Sequence, residues 1–133
     1  MWARTADALP MCPSPAKTRV LILARESVIA ALIGMLLEFE AYEPVFAEPD
    51  ERYDDAIRRV RAPLVVILDG ETDEARSDLF FARAAQGGAR VVLFSEPVAA
   101  EAVQAAARER RLPFFAMPVD RATLGTVLKR AAG

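Results

Sequence analysis

The sequence predicts a doubly wound α/β domain, with five parallel strands in the order 2-1-3-4-5 and helices on both faces. Three observations carry this expectation. The run Leu64-Val65-Val66-Ile67-Leu68 is apolar without alternation and stops abruptly at Asp69-Gly70, as a strand buried on both faces does. Similar runs recur along the chain and alternate with stretches of helical period, the signature of a parallel sheet covered by crossover helices. The breaks between units fall at Pro63, Gly87-Gly88 and Pro118, residues that end helices and strands. In the 2-1-3-4-5 order the chain reverses direction between strands one and three, so a carboxylate ending strand three stands where open sheets carry their chemistry.

Each element follows from its residues. Residues 1–18 read as a flexible N-terminal tail: Pro10, Pro13 and Pro15 break any helix and little is available to bury. Met11 offers a second start, and Trp2 and Cys12 fall in this tail. The domain is expected to span 19–133. Val20-Leu21-Ile22-Leu23-Ala24 is a buried strand. Ser27 is the expected N-cap of the first helix, in which Ile29, Leu32, Ile33, Leu36 and Leu37 recur at helical spacing and form the core stripe. Pro44-Val45-Phe46-Ala47 makes a short second strand. Asp50 is expected to cap a second helix with Tyr53, Ala56, Ile57 and Val60 facing inward. Pro63 ends that helix before the strand to Asp69.

The second half repeats the pattern. Leu79, Phe80, Ala82 and Ala84 belong to a third helix closed by Gly87-Gly88. Val91-Val92-Leu93-Phe94 is a strand ending at Ser95, and Val98 to Arg110 is an alanine-rich helix. Phe114-Phe115-Ala116-Met117 is the fifth strand, stopped by Pro118. Asp120 then caps a last helix with Leu124, Val127 and Leu128 inward.

Composition removes several function classes. There is no histidine, and Cys12 is the one cysteine. Intrachain disulfides, Cys/His zinc sites and Cys–His nucleophile pairs are thereby excluded, and a reducing, cytoplasmic setting is expected. The chain has no apolar stretch long enough to cross a membrane and no secretory signal plan. The basic clusters Arg58-Arg59-Arg61 and Arg108-Arg110-Arg111 are interleaved with Asp54, Asp55 and Glu109 and lie near helix ends, where cations suit the dipole. They read as solvated faces, not a nucleic-acid surface. The loop Ala24-Arg25-Glu26-Ser27 lacks glycine and carries a carboxylate, which disfavours a phosphate or flavin cradle. No enzyme activity, catalytic residue or resident cofactor is expected.

At the strand ends the chain resembles the receiver domain of bacterial response regulators, over about residues 19–132. Pro63 stands six residues before Asp69, as in the usual third strand. The resemblance implies a flavodoxin-like fold, Asp69 at the phosphoacceptor position and Ser95 at the hydroxyl that contacts the phosphoryl group. It further implies Phe114 at the aromatic switch position and Pro118 as the proline after the fifth-strand lysine, with a cis Met117–Pro118 peptide.

The departures from that pattern matter more. Receivers end strand one with an acidic pair that binds Mg²⁺; here those positions are Ala24 and Arg25. The fifth-strand lysine is replaced by Met117, whose thioether cannot pair with phosphate and whose simplest role is gap-filling. Phosphoryl transfer depends on cations that neutralise charge on the moving oxygens, and Mg²⁺ needs carboxylate oxygens. Arg25 is expected to reach Asp69 and serve as its counter-charge; at ~4 Å and an effective dielectric near 20 such a pair attracts by about 4 kcal/mol before desolvation. Glu26 and Glu71 are the available substitute metal ligands, and as loop carboxylates both are expected to be solvated.

The chain is therefore expected to be a stand-alone, degenerate receiver (a pseudo-receiver) that acts through protein contacts and holds no metal. Its partner would be a protein of a bacterial signalling pathway, or a second copy in a homodimer. The alternative is an atypical response regulator still phosphorylated on Asp69 with the help of Mg²⁺. Two faces could carry the contact. One, implied by the resemblance, includes Phe114, Arg110, Arg111 and Arg121. The other is a small-residue apolar seam on the first helix: Val28, Ala31 and Met35, beside Ala30 and Gly34.

Overall fold

Alternate residues along the central strands feed two separate cores, one on each side of the sheet. The computed structural model of the chain describes residues 17–60 and 65–132. Within them, β1 (Thr18–Leu23), β2 (Tyr42–Phe46), β3 (Val65–Asp69), β4 (Arg90–Ser95) and β5 (Phe114–Ala116) pair in parallel in the order β2-β1-β3-β4-β5. The helices are α1 (Ser27–Phe39), α2 (Tyr53–Arg59), α3 (Asp78–Gln86), α4 (Ala100–Glu109) and α5 (Arg121–Ala132), with 3₁₀ turns at Asp73–Arg76 and Pro97–Ala99. This is the doubly wound arrangement that the sequence predicts.

Side chains of a strand point alternately to its two faces. Leu21, Leu23, Val66, Leu68, Val91 and Leu93 therefore meet Ala56 of α2, Phe80 and Ala84 of α3, and Val103 and Ala107 of α4. Val20, Ile22, Val65, Ile67, Val92 and Phe94 meet Ile33 and Leu37 of α1 and Leu124, Val127, Leu128 and Ala131 of α5. With both faces covered, every residue of β3 is buried, which is why that strand reads as a continuous apolar run.

Several local expectations are corrected. β1 begins at Thr18, one residue inside the expected tail, because Thr18 pairs with Tyr42. The tail's other residues up to 16, with Cys12 and Trp2, lie outside the described residues, as do Arg61, Pro63 and Leu64. β2 starts at Tyr42, and β5 ends at Ala116, leaving Met117 in the turn. Ser27 is not a cap: Glu26 holds the extended cap position without a side-chain bond, and Ser27 starts the first turn. Asp50 is not a cap either. Its backbone is left-handed at φ 63°, and α2 starts only at Tyr53, because residues 48–51 are used in a turn of their own. Asp120 does cap, its Oδ1 accepting the Thr123 N–H at 2.7 Å.

Leu32 is the largest correction. It stands 46% exposed instead of joining the core stripe. α1 is apolar nearly all round, so periodicity alone does not choose its inner face. Packing chooses it through Gly34, where a Cβ would meet the Phe46 ring at 2.7 Å. The close approach rolls Ala30, Ile33, Gly34 and Leu37 inward and turns Leu32 out.

Candidate functional site: the carboxyl ends of the strands

β3 delivers Asp69 to the carboxyl edge of the sheet, and the following turn fixes it there. Gly70 N–H donates to the Phe94 carbonyl at 2.8 Å, while Thr72 donates from its backbone N–H (3.2 Å) and Oγ1 (2.8 Å) to the Asp69 carbonyl. The Asp69 side chain is 7% exposed, so its charge needs partners inside the protein. It has three. Oδ2 accepts from Arg25 Nε at 3.0 Å and from the Arg25 backbone N–H at 3.3 Å, and Oδ1 accepts from the Glu71 N–H at 3.1 Å.

Arg25 leaves the end of β1 and spans both carboxylates of this corner. Its second guanidinium nitrogen donates to Glu71 Oε2 at 3.0 Å. The hydrogen bond to Asp69, joined by the charges of Asp69, Glu71 and Glu96, raises the guanidinium above its ordinary value, so it stays charged. The Arg25 side chain is itself half-exposed, which screens the attraction well below its buried limit. Ala24 contributes no oxygen; it packs against the α1–α5 core.

The remaining residues of the corner are arranged around this pair. Ser95 is fully buried; its Oγ donates to the Glu96 carbonyl at 3.1 Å, and its own carbonyl accepts the Met117 N–H at 2.8 Å. Met117 packs against the α1–α5 core and precedes Pro118 through a cis peptide. Glu26 lies close enough to Glu96 that its negative charge, with burial and Glu71 adding to it, raises the Glu96 carboxyl. Tyr53, expected from the sequence only as an inward residue of α2, stands nearby; burial and the charge of Asp69 push its phenol above the ordinary value.

These residues do not fit a divalent cation. Mg²⁺ asks for an octahedron of oxygens, but a guanidinium occupies the space between Asp69 and Glu71. Among the described residues no group of three acidic, Cys or His side chains is placed to hold a metal ion. Glu71, the nearest substitute ligand, is already turned toward Arg25.

The two candidate contact faces come out differently. Arg110 donates to Asp78 at 2.8 Å and lies 4.1 Å over the Phe81 ring, on the α3–α4 side. Phe114 packs inward against that same core, and Arg111 takes a left-handed turn at φ 58°. Arg121 sits elsewhere: it pairs with Glu40, donates to the Phe39 carbonyl and lies over the Phe39 ring at the end of α1. On α1 itself Val28 (69%) and Met35 (52%) are exposed, together with Ala31. Leu32 and Phe39 extend this row, which was missed at its full length. The signal was present: positions 28, 32, 35 and 39 repeat at intervals of four, three and four, one outward stripe of a helix.

No protein-family model matches the sequence. No curated protein matches it either. Solved structures do. A response regulator receiver domain protein from Clostridium thermocellum is similar at 18% identity and TM-score 0.67, over 86% of this chain and 94% of that one. A response regulator receiver protein from Burkholderia phymatum is similar at 17% identity and TM-score 0.71, over 88% of this chain and 96% of that one. NtrX from Brucella abortus, solved in complex with ATP, is similar at 26% identity and TM-score 0.71; 88% of this chain matches 27% of that longer one. The architecture is thus a flavodoxin-like doubly wound sheet. Within that class the chain has the fold of response regulator receiver domains.

Proposed function

We propose that this chain is a receiver-like signalling module that works through protein contacts and without phosphorylation of Asp69. The observation that carries the reading is the Arg25 bridge to Asp69 and Glu71, with its 3.0 Å contacts on both sides. Phosphorylation of a carboxylate needs a free lone pair aimed at phosphorus and cations on the phosphoryl oxygens. Oδ2 already accepts two N–H groups of Arg25, and Oδ1 accepts one from Glu71. Met117 brings no cation to the far side. Glu26, Glu71 and Glu96 would repel an incoming phosphoryl group. Arg25 thus takes the counter-charge role of a metal and holds the strand ends in one arrangement. Contact with a protein partner, or with a second copy, then falls to exposed surface, of which the α1 stripe is the most apolar.

Intact-mass measurement after incubation with Mg²⁺ and acetyl phosphate tests this. The wild-type chain is expected to gain no phosphoryl mass under conditions that modify an ordinary receiver. The triple variant Ala24→Asp, Arg25→Asp, Met117→Lys is expected to gain one, and to lose it again on Asp69→Asn. A wild-type adduct that disappears in Asp69→Asn overturns the reading in favour of an atypical response regulator phosphorylated on Asp69.

A further inference from the structure

We infer that the cleft between the start of α1 and the loop after β2 is a binding site for a small apolar amine. The cleft has a volume of about 600 Å³, within the range of small-molecule sites. This inference goes beyond the proposed function, since nothing in it depends on whether Asp69 accepts phosphate.

The cleft is open because its inner walls are small. Ala24, Ala30, Ala31 and Ala47 line it, with the larger Phe46 and Tyr53 at its sides. Phe46 is laid against α1 by Gly34, where a Cβ would meet the ring at 2.7 Å. The lining is therefore mostly apolar and includes two aromatic rings, suited to a flat or branched hydrocarbon body.

The outer wall is built and held. Glu48 N–H donates to Glu51 Oε1 at 2.8 Å, and Glu51 N–H returns to the Glu48 carbonyl at 3.0 Å. Arg59 clamps the turn from α2, donating to both Glu51 oxygens at 2.7 and 2.9 Å and to the Phe46 carbonyl at 3.0 Å. Asp50 completes the turn in the left-handed region, at φ 63°, a conformation that aspartate tolerates better than most residues. A wall tied down at both ends does not collapse onto α1, and a preformed site loses little freedom when it is filled.

Charge selects the occupant. Glu48, Asp50 and Glu51 stand on the outer wall. Arg59 answers Glu51 closely and Glu48 only at 4.0 Å, and Asp50 makes no ion pair among the described residues. On the inner side Arg25 is the one basic lining residue, and it is bound to Asp69 and Glu71. Counting the lining residues with their ion-pair partners, the five carboxylates Glu48, Asp50, Glu51, Asp69 and Glu71 outnumber Arg25, Arg59 and the neighbouring exposed Arg52, so the surroundings of the cleft are net negative. An anionic ligand would be repelled, whereas an ammonium group at the mouth would meet Asp50 and Glu48 with its hydrocarbon body inside.

The test is a titration of ¹⁵N-labelled full-length chain with 2-phenylethylamine, with phenylacetate as the anionic counterpart of the same size. The amine is expected to shift the amides of Ala24, Phe46 and Tyr53 saturably, with a dissociation constant of about 1 mM for so small a ligand. Phenylacetate is expected to bind at least about tenfold more weakly, and the gap to narrow as salt is raised. The double variant Glu48→Gln, Asp50→Asn leaves the Glu48–Glu51 backbone contacts and the Glu51–Arg59 clamp in place and is expected to erase the preference for the amine. Absence of saturable shifts overturns the inference, and so does equal binding of phenylacetate to the wild-type chain. Neither result bears on the acetyl phosphate experiment.

Discussion

In the β3–β4 half of the molecule every residue from Val65 to Asp69 and from Val91 to Ser95 is buried, and the large side chains are covered by helices. In the β1–α1–β2 half, by contrast, Leu32, Met35, Phe39 and Phe46 stand between 43% and 60% exposed. The same half holds Ala24 and Arg25, the left-handed residues Ala41 and Asp50, and the cleft. The central strands are organised by burial and keep the receiver fold, while Leu79 (57%) and Val98 (93%) are exposed on the elements around them. Ala24, Arg25 and Met117, where the sequence departs from the receiver pattern, stand at the strand ends, and none of them is fully buried. Substitutions at a strand-end site need not weaken a fold, because the residues that set its chemistry and those that fill the core are largely different residues.

The strongest test of this contrast is a matched pair of truncations. Phe80→Ala removes a fully buried ring and is expected to cost about 3–5 kcal/mol in urea denaturation. Leu32→Ala deletes a side chain of similar apolar character on the exposed stripe and, in solution dilute enough to keep the chain monomeric, is expected to stay within about 0.5 kcal/mol. A large loss for Leu32→Ala that grows with protein concentration would mean the stripe is covered by another molecule in solution.

A smaller effect is expected at the junction of the two halves. Arg25→Ala leaves the buried Asp69 with backbone partners alone. Breaking a buried pair can cost several kcal/mol, but Arg25 is half-exposed and water can replace part of its contact. A loss of about 1–2 kcal/mol is expected, reduced in the double variant Arg25→Ala, Asp69→Asn, where no orphan charge remains. Equal losses in the single and double variants would show that Arg25 matters by packing and not as a counter-charge.

Association is the next readout. Met35→Glu places a charge in the middle of the α1 stripe without touching the core. The wild-type chain is expected to show concentration-dependent sedimentation, and Met35→Glu to remain a monomer with an unchanged melting temperature. A wild-type chain that is monomeric throughout would assign the stripe to a different protein.

How much of this was legible in the sequence follows the same division. The strand order, both core layers and the position of Asp69 could be read from apolar runs, since continuous burial writes a continuous pattern. Asp120 was read as a cap because an exposed helix start leaves few competitors for its N–H groups. Ser27, Asp50 and Leu32 were misread for one shared reason: each depends on how β2 and its following loop pack on α1. Gly34, 12 residues from Phe46, and Arg59, 8 residues from Glu51 and 13 from Phe46, decide that packing from beyond the local stretch. Arg25 could be placed near Asp69 because the sheet order brings those two strand ends together. Glu96 had no local signature, and Tyr53 only that of an inward helix residue, since their place beside the site comes only from what the fold sets together.

The smallest expected effect compares one carboxylate from each half. Glu96, after β4, has its carboxyl raised chiefly by the charge of Glu26. Glu51, after β2, has its carboxyl lowered chiefly by the hydrogen bond from Arg59. Their linkage to stability has opposite signs. For Glu96 the folded chain holds its proton more tightly than the unfolded chain, so its contribution is fully present below the ordinary value of 4.5 and is lost as pH rises through the raised value. For Glu51 the contribution is present above 4.5 and is lost as pH falls through the lowered value. Relative to wild type, Glu96→Gln is therefore expected to gain stability as pH is raised from 4.5 toward 7, and Glu51→Gln to gain as pH falls below 4.5. Thermal melts of the three proteins across pH 3 to 7 measure both differences, and slopes of the same sign would show that the two carboxylates do not sense their neighbours as the geometry requires.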